Sequence, residues 1–246
     1  MKVLVTGCCG FIGYNVCLRL LKEGNIVIGI DNFDNYYDVK VKRLKCDSLK
    51  SYENFIFEEE DIISTDIIER LKPEKICHLA SKAGVRNSIL DPKSYVRNNI
   101  EGFINLVEQA VKTDVETFVY ASSSSVYGLN EKIPFSESDN IDSCNSPYAA
   151  SKRSMEIFAN TYNQLYDLPL IGLRFFTVYG PRGRPDMAPY KFLNSISNDI
   201  TFDKYGDGSS MRDYTYIDDI VDGVVSSLDD GDIINMVSRG CLNAIL

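Results

Sequence analysis

Six short runs rich in β-branched residues, at 2–6, 26–30, 54–57, 75–79, 117–121 and 170–174, alternate along the chain with stretches of helical periodicity. Strands that are apolar along their whole length must be covered on both faces, and strands separated by helices must run parallel. Helices are expected over 12–23, 64–71, 92–112 and 148–166, the second opened by Ser64 as its cap. The pattern predicts an α/β fold, a doubly wound parallel sheet. After Arg174 the alternation gives way to a Gly/Pro-rich stretch at 180–189, a helical segment and a helix near 218–228. The expected organisation is therefore a main domain over 1–180 and a smaller ligand-side part over 181–246.

The 246 residues, 44% hydrophobic and 11% aromatic, suffice for one substantial core with a small appendage. A formal net charge of -9 leaves no basic footprint for a phosphate backbone, so nucleic acid is not an expected partner. Lys, Glu or Asp breaks every apolar stretch short of the roughly 18 residues a spanning helix needs, so no membrane association is expected. The opening apolar run ends at Gly7, too early for a signal peptide. Seven cysteines, among them adjacent Cys8 and Cys9, show no paired metal-ligand spacing. They read as buried thiols of a reducing, cytoplasmic compartment, with no metal site.

Gly7-Cys8-Cys9-Gly10-Phe11-Ile12-Gly13 follows the first strand and opens the first helix. Backbone amides and the helix dipole can meet a pyrophosphate there. Gly7 allows the tight turn, Gly10 the close approach of a ligand, and Gly13 the close packing of helix on strand. Asp31 ends the second strand at the offset where a carboxylate accepts both ribose hydroxyls, and it would repel a 2′-phosphate. The pair predicts a Rossmann-type site for NAD rather than NADP, built from Gly7, Gly10, Phe11, Ile12, Gly13, Asp31 and the following Asn32. Asp61 and Ile62, after the third strand, are candidates for the adenine end, while Glu58 to Glu60 read as a solvated face. Cys8 and Cys9 read as small side chains filling a crowded loop, and His78, the only histidine, as a hydrogen-bonded structural residue.

Tyr148 and Lys152 stand four apart on one helix face directly after Pro147. The ammonium is expected to favour the phenolate and so make Tyr148 a usable base. Ser122-Ser123-Ser124-Ser125-Val126-Tyr127-Gly128 lies at the carboxyl end of the fifth strand, where ligands bind in such sheets. A serine there can hydrogen-bond the oxygen that Tyr148 deprotonates.

Taken together, Thr-Gly-x-x-Gly-Phe-Ile-Gly, the serine turn before Val-Tyr-Gly, and Tyr-x-x-x-Lys resemble the extended short-chain dehydrogenases/reductases over nearly the whole chain. The segments 34–39 (Asp-Asn-Tyr-Tyr-Asp-Val), 172–181 and 183–188 (Gly-Arg-Pro-Asp-Met-Ala) resemble, more narrowly, UDP-glucuronate 4-epimerases. That resemblance implies Ser123 beside Tyr148, with Lys152 on the nicotinamide ribose. It implies C4 epimerisation of a UDP-sugar through a 4-keto intermediate, with NAD retained. It further implies Arg184 as a carboxylate clamp assisted by Thr177, Ser124 and Ser125 on the substrate side, and Arg212 at the diphosphate. Family members continue well beyond Leu246, and after Asp232 the likeness is faint, so the substrate-binding part reads as incomplete, through truncation or a frameshifted tail. A 4-epimerase for a neutral UDP-hexose, a truncated NAD-binding remnant with little catalysis, and a homodimeric assembly stay open on the sequence.

Overall fold

The computed structural model describes residues 1–202, 207, 211, 213–230 and 236–237. Along these the elements are β1 (Lys2–Thr6), α1 (Phe11–Lys22), β2 (Ile26–Ile30), α2 (Val39–Lys50), β3 (Phe55–Glu58), α3 (Ile67–Leu71), β4 (Lys75–His78), α4 (Val85–Leu90) and α5 (Pro92–Tyr95). A π-helical stretch (Val96–Glu101) leads into α6 (Gly102–Val111), β5 (Thr117–Ser123) and a 3-10 turn (Ser124–Tyr127). Then follow α7 (Pro147–Tyr166), β6 (Leu170–Phe175), β7 (Thr177–Tyr179), α8 (Ala188–Ser197), β8 (Tyr214–Tyr216), α9 (Ile217–Asp230) and β9 (Met236–Val237).

Seven strands form one sheet in the order β3-β2-β1-β4-β5-β6-β9, and every pairing is parallel. β7 and β8 make a separate parallel ribbon. Alternate strand residues feed two cores. Val3, Val5, Val27, Cys77, Val119 and Ile171 face α1 and α9. Leu4, Ile28, Ile76, Phe118 and Leu170 face the other layer, filled by Phe103, Leu106 and Val107 from α6 and Met155 and Ala159 from α7. The chain winds outward from β1 to β3 and then returns to place β4 on the other flank of β1. The carboxyl ends of β1 and β4 thus diverge at a topological switch point, the usual seat of a ligand in such sheets. Among the described residues after 180, α9 joins the core beside α1. Among the described residues no helix is long and apolar enough to cross a membrane.

Several local details were not expected from the sequence. α2 forms although only Cys46 and Leu49 on its buried face are apolar. Asp38 caps it by accepting from the Lys40 N–H at 2.9 Å, and its buried face consists of Lys42, Lys45, Cys46 and Leu49, with lysine stems standing in for apolar side chains. Ser64 caps nothing: α3 begins at Ile67, whose N–H donates to the Thr65 hydroxyl at 3.1 Å. The single helix expected over 92–112 is interrupted by the π-helical stretch, which has a use described below.

Candidate active site

The turn after β1 is shaped by overlap that no side chain could survive. Gly7 sits at φ +69°, and a Cβ on it would lie 2.9 Å from the Cα of Ala80 at the end of β4. A Cβ on Gly13 would lie 2.2 Å from the Gly7 carbonyl oxygen, so α1 approaches its own turn as closely as a backbone can. Cys8 and Cys9 are fully buried with their Sγ atoms 3.7 Å apart, as free thiols. Burial pushes the Cys8 thiol up to about 11. Asp31 follows β2 with its carboxylate fixed by the Cys9 N–H (3.1 Å) and the Phe33 N–H (2.9 Å). Burial raises its pKa, against the pull of Lys42, whose Nζ stands 4.0 Å away, and of the two amides. Lys42 lines the cleft beside Asp31, and sequence reasoning missed it together with its helix.

Nδ1 of His78 pairs with the Thr6 hydroxyl at 2.8 Å, whereas Nε2 is buried and has no hydrogen-bond partner among the described residues. Burial, helped by the charge of Lys152, pushes it down to about 3, so it stays neutral. The Thr6 hydroxyl also receives the Leu79 and Ala80 N–H groups (3.1 and 3.0 Å), tying the ends of β1 and β4 together beneath the cleft.

Across the cleft, Ser123 ends β5 and caps the 3-10 turn by accepting from the Ser125 N–H at 3.2 Å. A buried ion pair supports that turn. Arg174 on β6 holds Glu156 on α7 through Nε–Oε1 (2.9 Å) and Nη2–Oε2 (3.1 Å), with side chains only 5% and 8% exposed. Glu156 accepts a further bond from Ser122 at 2.6 Å, and Arg174 donates to the Tyr127 hydroxyl at 3.2 Å. The pair was invisible in the sequence because its partners lie on different elements.

α7 starts where Ser146 accepts from the Ala149 N–H (3.1 Å) and Pro147 occupies the first turn. This fixes Tyr148. Its carbonyl receives the Ser151 hydroxyl (2.8 Å), and that hydroxyl in turn receives the Asn99 amide (2.9 Å). Asn99 is delivered by the π-helical stretch and also clamps the Lys82 backbone through 2.8 and 2.9 Å bonds. Lys152 is buried, and its Nζ donates to the Ala121 carbonyl at 2.8 Å. Burial pushes it down to about 7.

These facts correct the expected electrostatics of the pair. The Tyr148 phenol lies above, not below, its ordinary pKa, because its hydroxyl is withdrawn from water. Ser123 and Arg184 pull it back down, whereas the Lys152 ammonium is directed to a backbone carbonyl. Four-residue spacing put both side chains on one face, but the end of β5 captured the lysine.

Gly7, Gly10, Phe11, Ile12, Gly13, Asp31, Asn32, Ile62, Ser123, Ser124, Ser125, Tyr148, Lys152, Thr177 and Arg184 line one cleft with a volume of about 470 Å³. Asp61 does not line it. Its carboxylate receives the Asn32 amide and the Ile63 N–H, both at 3.0 Å, which closes the turn after β3. Arg212 lies outside the described residues. Arg184 is paired through Nε and Nη2 with Asp186 at 3.0 and 2.5 Å, and its guanidinium stacks 5.4 Å from the Tyr36 ring centroid.

A dinucleotide-shaped turn thus faces a Tyr/Ser/Lys cluster and an arginine in a single cleft, and known proteins are similar to this chain over most of its length. Protein CapI of Staphylococcus aureus is 49% identical over 230 residues, 91% of this chain and 68% of that protein. A probable UDP-glucuronate 4-epimerase of Rhizobium meliloti is 46% identical, over 92% of this chain and 67% of its own length. The crystal structure of UDP-glucuronic acid 4-epimerase from Bacillus cereus, in complex with UDP-glucuronic acid and NAD, superposes with a TM-score of 0.90. It is 38% identical and covers 96% of this chain and 75% of that one. Residues 3–236 match the Epimerase family, described as the NAD dependent epimerase/dehydratase family. The chain belongs to the NAD dependent epimerase/dehydratase family.

Proposed function

We propose that this chain is an NAD-dependent UDP-glucuronate 4-epimerase, interconverting UDP-glucuronate and UDP-galacturonate in a reducing cytoplasm. The observation that carries the reading is Arg184, a guanidinium in the same cleft as Ser123 and Tyr148 and close enough to act on the phenol electrostatically. The similarity to the Rhizobium meliloti and Bacillus cereus proteins supports the same substrate.

The cleft fits the cofactor. Gly7 and Gly13 leave bare backbone where any Cβ would collide, and Asp31 presents a fixed, buried carboxylate at the end of β2 for ribose hydroxyls. NAD bound there supplies a reversible hydride acceptor for C4 of the sugar. Tyr148 takes the proton of the C4 hydroxyl and later returns it, with the Ser123 hydroxyl orienting the same oxygen. Lys152 orients the nicotinamide ribose. The keto sugar must turn over between the two hydride transfers so that its other face is presented. A 4-keto uronate is a β-keto acid and loses carbon dioxide when its carboxylate bond aligns with the ketone. Arg184, with Thr177, Ser124 and Ser125, holds the carboxylate away from that alignment. Arg212 is assigned to the diphosphate.

Incubation with UDP-glucuronate followed by chromatography for UDP-galacturonate tests the activity. Arg184→Met tests the substrate: its catalytic efficiency on UDP-glucuronate is expected to fall by about 2 to 4 kcal/mol, with little change on UDP-glucose. An unchanged ratio between the two sugars would promote the neutral-hexose reading. For the cofactor, NADP(H) should bind at least about tenfold more weakly than NAD(H), because a 2′-phosphate would meet the Asp31 carboxylate. Equal dissociation constants would remove Asp31 from the cofactor assignment.

A further inference from the structure

A carboxylate of the chain itself is paired with the guanidinium proposed to hold the substrate. The fork of Arg184 that suits a uronate is already filled by Asp186, two residues along the same loop, in a bidentate pair of 3.0 and 2.5 Å. Both side chains are partly open to the cleft, 21% and 28% exposed, so neither is locked in the core. The Tyr36 ring lies against the guanidinium, with Cζ 5.4 Å from the ring centroid, a contact that does not depend on Asp186. The Tyr36 hydroxyl interacts with the same carboxylate and offers a place for it once it leaves the fork.

We infer that Asp186 is an internal stand-in for the substrate carboxylate: it occupies Arg184 until an anionic sugar displaces it, and thereby determines how strongly the site discriminates between charged and neutral UDP-sugars. The inference rests on the proposed uronate substrate. Its physical basis is exchange. A uronate replaces one charge-assisted pair with another, so only the difference between the two pairs appears as affinity. A neutral hexose offers nothing to Arg184, leaves the Asp186 pair intact and binds through its other groups. Asp186 thus keeps the guanidinium neutralised whenever a carboxylate is absent, and it weakens uronate binding by the strength of the pair that must be broken.

A carboxylate with merely structural duties would behave differently when altered. Asp186→Asn keeps the side-chain shape but removes the competing charge. Calorimetric titration of the full chain with saturating NAD should show UDP-glucuronate binding about fivefold tighter, the equivalent of a partly exposed pair worth about 1 kcal/mol, with UDP-glucose unchanged within about twofold. Asp186→Glu, which keeps the charge, should return the wild-type affinities for both sugars. Weaker UDP-glucuronate binding by Asp186→Asn would show that Asp186 braces Arg184 rather than competing for it, and would overturn the inference. Equal changes for both sugars would overturn it too. Arg184→Met separates this failure from that of the substrate reading. If it leaves the preference between the two sugars intact, the uronate reading falls and the exchange with it. If the preference collapses while Asp186→Asn brings no tightening, only the exchange is refuted.

Discussion

Tyr148→Phe lowers turnover of UDP-glucuronate by a factor of about 10² to 10⁴, to background in an ordinary assay, while the dissociation constant of NAD stays within about twofold. The size of the effect follows from losing the proton acceptor that stands beside Ser123 in the cleft. His78 is the only histidine, and burial has pushed it down to about 3. The substitution removes one oxygen and leaves the helix start intact, because the Ser146 cap and the Ser151–Asn99 bonds act through backbone and neighbouring side chains. Lys152→Met should instead damage turnover and NAD binding together. It also carries a stability signature. Folding disfavours the ammonium, whose pKa drops from 10.5 to about 7, so between those values the unfolded chain binds the extra proton. Native stability therefore gains as pH rises through that window, and Lys152→Met should flatten the gain in urea titrations at pH 7 and pH 10. Retention of most activity by Tyr148→Phe would hand the base to another group and end the mechanism proposed here.

The second large effect lies beneath the serine turn. Glu156→Gln should cost about 3 to 5 kcal/mol of folding free energy, because it leaves Arg174 charged in a place from which water is largely excluded. Burial opposes the charge on Arg174 and Glu156 offsets it; when the partner goes the guanidinium still keeps its proton, because it is too basic to lose it in a protein, and the charge is left uncompensated. The double variant Glu156→Gln/Arg174→Met should recover part of the loss, since an apolar stem replaces the orphaned charge. Glu156 also receives Ser122, and Arg174 holds Tyr127, so the turn carrying Ser123 to Ser125 loosens and turnover should fall beyond what reduced stability explains. Urea midpoints for the three variants decide the matter. A single-variant loss below about 1 kcal/mol would mean that the pair is solvated and does not support the site.

Legibility in the sequence followed periodicity and local motifs. β1, β2, β4, β5 and β6 were readable because strands buried on both faces cannot avoid being apolar runs, and the glycine turn because its overlaps admit no other residue. α2 escaped because its inward face mixes Lys42 and Lys45 with Cys46 and Leu49, and pattern reasoning assigns lysine to water. Asn99 and the Glu156–Arg174 pair escaped for a different reason: one depends on a π-helical stretch, the other on a contact spanning 18 residues between two elements. Tyr148 and Lys152 were found, but their mutual electrostatics were not. That depended on which acceptor the ammonium would meet at the end of β5, a matter of tertiary packing.

The packing of α9 against α1 has a bearing on how the chain is made. Arg19 meets Asp222 at 2.6 Å across 203 positions, and Ile217, Ile220, Val221, Val224 and Leu228 complete the same core as Val16, Cys17 and Leu20. On a translating ribosome the helix that follows the glycine turn therefore emerges long before its cover exists. Even with β1 to β6 fully synthesised, an apolar flank of the cofactor half stays open to solvent until residue 228 has cleared the exit tunnel. Nascent chains of this kind are the ones that engage chaperones or stick to one another.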